Sequence, residues 1–211
     1  MPAPRANPDD GSRERLLKAG LQVARRQGIQ RLTVRAVASL AQANLGTFVY
    51  HFGTREAFCG ELIERWYAPL WRQLTLTGEA PLDALSALRR ALLAMVRWLI
   101  RHRSFIAHLV LDAGAGEPAA RSFLKSLDQR HPALLLQLIQ RAQHEGSLRR
   151  GDAMHQLLFL MSTLAAPLLL FHLLGQPGLA PQQLANSLRA LSSDVAAVET
   201  RLDWALRGLA P

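Results

Sequence analysis

The chain has 211 residues, 49% of them hydrophobic and 19% charged, which suits a globular protein of one or two domains and excludes a disordered one. Leu and Ala supply 73 residues against 13 from Val and Ile, so helices are expected and a sheet-built fold is not. A formal net charge of +9 points to a polyanionic partner, and the single cysteine, Cys59, excludes an internal disulfide and a cysteine-based zinc site.

Residues 1–9 hold three prolines and read as a flexible tail. Residues 1–15 carry no apolar run of the secretory kind, so the cytoplasm is the expected address. After Ser12, Leu16, Leu17, Gly20, Leu21 and Ala24 recur at helical spacing, and Gly28 is a plausible stop. Thr33 is a candidate N-cap for a short helix with Val34, Val37, Ala38 and Ala41 as its apolar stripe. Its capping box is incomplete, because Ala36 stands where Glu or Gln would. Gln42 and Ala43 form a tight connection to Asn44, which can cap another short helix reaching about Tyr50. Thr54 then opens a long helix toward Leu74, with Pro69 inside it as a bend.

Beyond Pro81 the spacing predicts a helix from Leu82 to Leu99 and a shorter one from Ser104 to Ala113. A helix from Pro118 to Glu145, bent near Pro132, is expected next, then two more over 152–174 and 181–209. In the last, Leu184, Leu188, Leu191, Val195, Val198, Leu202, Ala205 and Leu209 alternate steps of four and three, the seam of a bundle or a dimer helix. The run from Leu157 to Leu174 has no formal charge, but Ser162, Thr163, Pro167 and His172 interrupt it, so a bundle core or subunit interface explains it better than a membrane span.

Charge is concentrated near the start. Residues 10–55 hold eight bases (Arg13, Arg15, Lys18, Arg25, Arg26, Arg31, Arg35, Arg55) against two acids, Asp10 and Glu14. A solvated helix face would look the same, but a phosphate-binding footprint is the sharper reading. Three short helices crowd into about forty residues there, in the helix-turn-helix layout. Val37, Ala38, Ala41, Ala43 and Phe48 can pack inward, leaving Leu45, Gly46, Thr47, Val49 and Tyr50 outward. Gly46 costs a helix about 1 kcal/mol, which close approach to another backbone would explain. No phosphate loop, nucleophile elbow, His-Glu-x-x-His or paired-carboxylate signature argues for an enzyme. The seven histidines show no metal-ligand spacing, so neither metal nor cofactor is expected.

The run Leu16-Leu17, Ala24, Gly28, Thr33, Ala38, Asn44-Leu45-Gly46-Thr47-Phe48, Tyr50-His51-Phe52 and Thr54-Arg55-Glu56-Ala57-Phe58 resembles the tetracycline-repressor (TetR) family of transcription regulators. The likeness covers roughly residues 10–70 and departs from the family at Gln42-Ala43, where Gly-Val is usual, and at Val49, often an aromatic. It implies an all-α protein: a DNA-binding domain over 10–70 with its helix-turn-helix at 33–52, then an effector-binding and dimerisation domain over 71–211. The helix from Thr33 would abut the DNA backbone, with Arg35 reaching a base edge or phosphate. The helix from Asn44 would enter the major groove with Leu45, Gly46 and Thr47 nearest the bases, Leu45 suiting a thymine methyl. Tyr50, His51 and Arg55 would meet phosphates, although His51 could instead cap the next helix.

The same resemblance implies a homodimer through the last two helices and a ligand-responsive regulator, a repressor released from operator DNA by a small apolar effector. Trp66, Tyr67, Trp98, His102, Phe105 and His108 could line the effector pocket, and core packing would account for each of them equally well. A bend at Pro69 would be the lever that changes the separation of the two recognition helices, which must match one DNA turn of roughly 34–36 Å.

Overall fold

The computed structural model describes residues 8–78, 80–174 and 179–211, and all regular structure in them is helical. The helices are α1 (Pro8–Gln27), α2 (Val34–Leu40), α3 (Leu45–Phe52), α4 (Arg55–Gly78), α5 (Ala84–Gly114), α6 (Pro118–Ser126), α7 (His131–His144), α8 (Ala153–Leu174), α9 (Gln182–Ser193) and α10 (Val195–Gly208). Residues 1–7 of the expected tail lie outside the described residues, and helix α1 already begins at Pro8, a residue tolerated in a first turn.

Two compact units result, one taking the chain up to Ala68 and adding Ser104–Lys125, the other holding Pro69–Arg103 and everything from Ser126. The expected domain 71–211 therefore gives up residues 104–125 to the amino-terminal unit. The crossings fall at irregular backbone. Pro69 lacks the N–H that would bond the Arg65 carbonyl in α4. His102 leaves helical geometry inside α5 (φ −113°, ψ 15°), between the two helices expected there. A short 3₁₀ turn, Leu127–Gln129, separates α6 from α7.

That turn corrects the expectation of one bent helix from 118 to 145. Arg130 is non-helical (φ −120°, ψ −133°), and Pro132 sits in the first turn of α7, where its missing N–H costs nothing, and not at a mid-helix bend. The last helix needs a larger correction. Asp194 is extended (φ −91°, ψ 116°), ends α9 and caps α10 by accepting from the Ala196 N–H at 2.9 Å. The alternating seam is thus cut. Leu188, Val198, Leu202 and Ala205 are buried, while Leu184 and Val195 are exposed, because a break resets the phase of the stripe.

The core of the amino-terminal unit gathers Leu16, Leu17, Ala24, Ile29, Leu32, Val37, Ala38, Phe48, Phe58 and Leu62. Gly20 lets α1 and α4 meet closely, since a side chain there would run into the Phe58 ring. In the carboxy-terminal unit α8 packs against α7, α9 and α10. Pro167 cannot donate to the Thr163 carbonyl, and the break at Asp194 frees the Leu191 carbonyl. Buried Arg201 takes both, donating from Nη1 to Thr163 O at 3.1 Å and from Nη2 to Leu191 O at 2.7 Å. No helix of the described residues is long and apolar enough to cross a membrane.

Candidate nucleic-acid interface

Both short helices start on the caps expected of them. Thr33 Oγ1 accepts from the Ala36 N–H at 3.2 Å, and Asn44 Oδ1 accepts from the Thr47 N–H at 2.7 Å and the Thr47 hydroxyl at 3.0 Å. Between them Gln42 takes the left-handed conformation (φ 52°), which lets the Ala43 N–H reach the Ala38 carbonyl at 2.9 Å and aims α3 away from α2. Gly53 (φ 66°) ends α3, and Thr54 caps α4 by accepting from Ala57 N–H at 3.1 Å.

Helix α3 has two faces. Phe48 and Phe52 stack inward with Phe58, their ring centroids 4.8 to 5.4 Å apart. On the opposite side Leu45, Gly46, Val49 and Tyr50 are exposed, Tyr50 at 74%. Thr33, Arg35 and Asn44 are exposed, whereas Thr47 and His51 are half-buried. Arg35 makes no ion pair among the described residues, unlike Arg13, which meets Glu61 at 2.6 Å, and Lys18, which meets Glu14. The structure thus gathers an exposed cation on α2 and an aromatic hydroxyl on α3 around an apolar ridge.

An isolated, outward-turned helix after a tight turn, preceded by a capped partner helix, is a helix-turn-helix reader. Comparison with known proteins agrees. Residues 16–62 match the family model described as bacterial regulatory proteins, tetR family. Residues 16–62 thus carry the DNA-binding segment of the tetR family. A curated relative, the HTH-type transcriptional repressor DhaR of Mycobacterium sp. (strain GP1), is 24% identical over 142 residues, 67% of this chain and 72% of the repressor. The TetR-family regulator PfmR of Thermus thermophilus has the same fold, with a TM-score of 0.65 at 20% identity over 93% of this chain and 99% of that one. SmeT, solved as a complex with triclosan, superposes with a TM-score of 0.68 at 17% identity, over 95% of this chain and 92% of its own. Together these likenesses support a DNA-binding transcription regulator of the tetR kind, a class that is not enzymatic.

Arg55, which the resemblance to the TetR family set against phosphate, has partners within the chain. Its guanidinium is turned into the unit, donating to the carbonyls of Leu32 (2.8 Å), Ile29 (2.5 Å) and Gln30 (3.3 Å), and to Glu117 at 3.0 and 3.3 Å. Burial opposes its charge, but the hydrogen bond and the Glu117 and Asp112 carboxylates outweigh burial and raise its pKa. On the other side of the same loop, buried Asp112 accepts from the Ile29 N–H at 2.6 Å and the Gln30 N–H at 3.3 Å. Gly28 has φ 84° and no room for a Cβ, which would lie 2.7 Å from that carboxylate. The loop that sets the entry of α2 is therefore gripped from α4 and from the α5–α6 corner. Asp112 and Glu117 escaped sequence reasoning; the one signal was a pair of acids bracketing Gly114 and Gly116.

The six effector-pocket candidates separate. Trp66, Tyr67 and Phe105 are buried in the amino-terminal unit, with Trp66 4.4 Å from Phe105 and Tyr67 5.3 Å from Phe123. His108 is half-buried in the same unit. Trp98 and His102 pair at 4.8 Å in the other unit. Cys59 is fully buried and its thiol is pushed up to about 11 by burial, which suits a small core residue and not a redox sensor.

Proposed function

We propose that the chain is a homodimeric, cytoplasmic repressor that leaves its operator when a small apolar effector binds. The observation that carries the DNA half of this reading is α3, capped by Asn44, backed by Phe48 and Phe52, and exposing Leu45, Gly46, Val49 and Tyr50. Thr33, Arg35, Asn44, Leu45, Gly46, Thr47, Tyr50 and His51 form the DNA-facing set. Arg35 and Tyr50 contact phosphate or base edges, and Arg55 serves by fixing the α1–α2 loop. The division proposed is 10–70 for DNA and 71–211 for effector and dimer, with residues 104–125 acting alongside the first.

Dimerisation is supported by exposed apolar side chains on α8 (Met154, Leu158 and Phe159) and by Trp204 on α10. One α3 reads only a few base pairs, and two-fold symmetry doubles that reading. Relief by an apolar effector is supported by the curated repressor relative and by the triclosan bound to SmeT. Of the six candidates, Trp66, Tyr67, Phe105 and His108, which share the amino-terminal unit, are its proposed contacts, and α4, with Pro69 inside it, is the proposed lever. A coupling of about 1–3 kcal/mol would change operator affinity 5- to 150-fold.

A gel shift with duplex DNA from upstream of the chain's own coding region tests this, run across salt and with triclosan as a trial ligand. Retarded specific duplex, a log–log salt slope near −0.9 per phosphate contact and a two-chain stoichiometry are expected. Monomeric protein, or equal affinity for random and upstream duplex, would overturn the reading.

A further inference from the structure

Helix α3 reads Leu-Gly-Thr-Phe-Val-Tyr-His-Phe over residues 45–52. It holds no Arg or Lys for guanine, no Asn or Gln for adenine and no Asp or Glu for cytosine, the side chains that recognise base edges by paired hydrogen bonds. The amide nearest it, Asn44, has its carboxamide oxygen engaged twice in the cap, and the Thr47 hydroxyl donates into that same cap. What remains at the centre of the outward face is aliphatic. Leu45 and Val49, four residues apart and 46% and 57% exposed, form one ridge.

Gly46 lies beside that ridge. Its backbone is helical and needs no glycine, but a Cβ there would press on Asn44 Oδ1, at 3.2 Å. That contact is tight and falls on the oxygen that caps α3, so glycine spares the cap. It also leaves the α3 backbone bare on the outward face, where a partner can come close. Of the groups that base pairs present in the major groove, the thymine C5-methyl is the apolar one.

Resting on the DNA-binding reading above, the geometry points to Leu45 and Val49 as the specificity-determining residues, packing on thymine methyls, with Gly46 admitting the bases to van der Waals contact. Operator half-sites then carry thymine beneath α3, and selectivity there comes from methyl contact and shape, with Arg35 and Tyr50 supplying orientation.

The test uses the full-length chain. An operator is selected from a random duplex library, and each of its thymines is then replaced in turn by deoxyuridine, which removes the methyl alone. One or two positions per half-site should weaken binding about four-fold each, the worth of one buried methyl. Leu45→Ala and Val49→Ala, at exposed positions and checked for folding by circular dichroism, should bind thymine and uracil forms alike at those positions. Sequence-selective binding that no uracil substitution disturbs would overturn this assignment and leave the regulator reading intact. A library that yields no preferred sequence would overturn both.

Discussion

In the amino-terminal unit the loop between α1 and α2 leaves both halves of its peptides over: buried Asp112 takes the N–H groups of Ile29 and Gln30, and Arg55 takes the carbonyls of Ile29, Gln30 and Leu32. In the carboxy-terminal unit the leftover groups are carbonyls, at Thr163 beneath Pro167 and at Leu191 before the break, and a buried guanidinium, Arg201, takes those. The difference follows from which half of the peptide a break exposes. A loop frees donors and acceptors alike and here takes a charge of each sign, while a proline or a helix end frees acceptors alone. Each buried charge is thereby a fastening for irregular backbone, and each reaches across the sequence to what it holds.

Removing each fastening should separate the two units' behaviour. Asp112→Ala strands the Ile29 amide in the core, and a loss of about 3 kcal/mol in urea-induced unfolding is expected. DNA affinity should fall as well, although deleting an acid makes the chain more basic and would by charge alone tighten binding. Unchanged or stronger binding would show that the loop needs no such grip. Arg201→Met should cost about 2 kcal/mol by leaving two carbonyls without a donor. Adding Pro167→Ala should return about half of that, because the restored N–H can bond Thr163, and a cycle with no coupling would sink the account of Arg201. DNA affinity should not change in either Arg201 variant if the protein is held above its dimerisation threshold.

What could be read from the sequence divides along the same line. The helix-turn-helix was legible because its determinants are local: Thr33, Asn44 and Thr54 each cap the helix that follows within three residues. The inward stripe of Val37, Ala38, Ala41 and Phe48 was legible for the same reason. The break at Asp194 was not, since a heptad seam continues in the letters across a residue whose side chain caps a new helix. The separation of α6 from α7 was blurred by Pro132, whose role depends on where the helix begins. The second set of partners of Arg55 was not legible, because a basic residue at the start of α4 looks the same in sequence with or without Glu117, 62 positions away. Long-range partners leave no periodic trace.

A pH experiment probes the carboxy-terminal unit alone. Burial, with Arg130 adding to it, pushes the His131 imidazole down to about 4 from an ordinary 6.5. The folded state thus favours neutral His131. Its contribution is present above pH 6.5 and is lost as pH falls through about 4. We expect roughly 1 kcal/mol of acid sensitivity over that window, allowing for its partial exposure, and its disappearance in His131→Gln. An identical acid profile in the variant would assign the sensitivity elsewhere.

The smallest effect sharpens the reading of the turn. Gln42 sits at φ 52° where relatives of the family usually place glycine, and a side chain in that region costs about 1–2 kcal/mol. Glycine would remove that cost but bring more freedom to the unfolded chain, worth about 0.5–1 kcal/mol in the opposite sense. Gln42→Gly should therefore raise stability by about 0.5 kcal/mol, read as a small rise in the urea midpoint at constant slope. Because Gln42 is exposed and precedes the capped start of α3, DNA affinity should stay within two-fold. A stability loss would mean that the Gln42 side chain holds the turn, and a large affinity change would place it in the interface, beside the ridge of Leu45 and Val49.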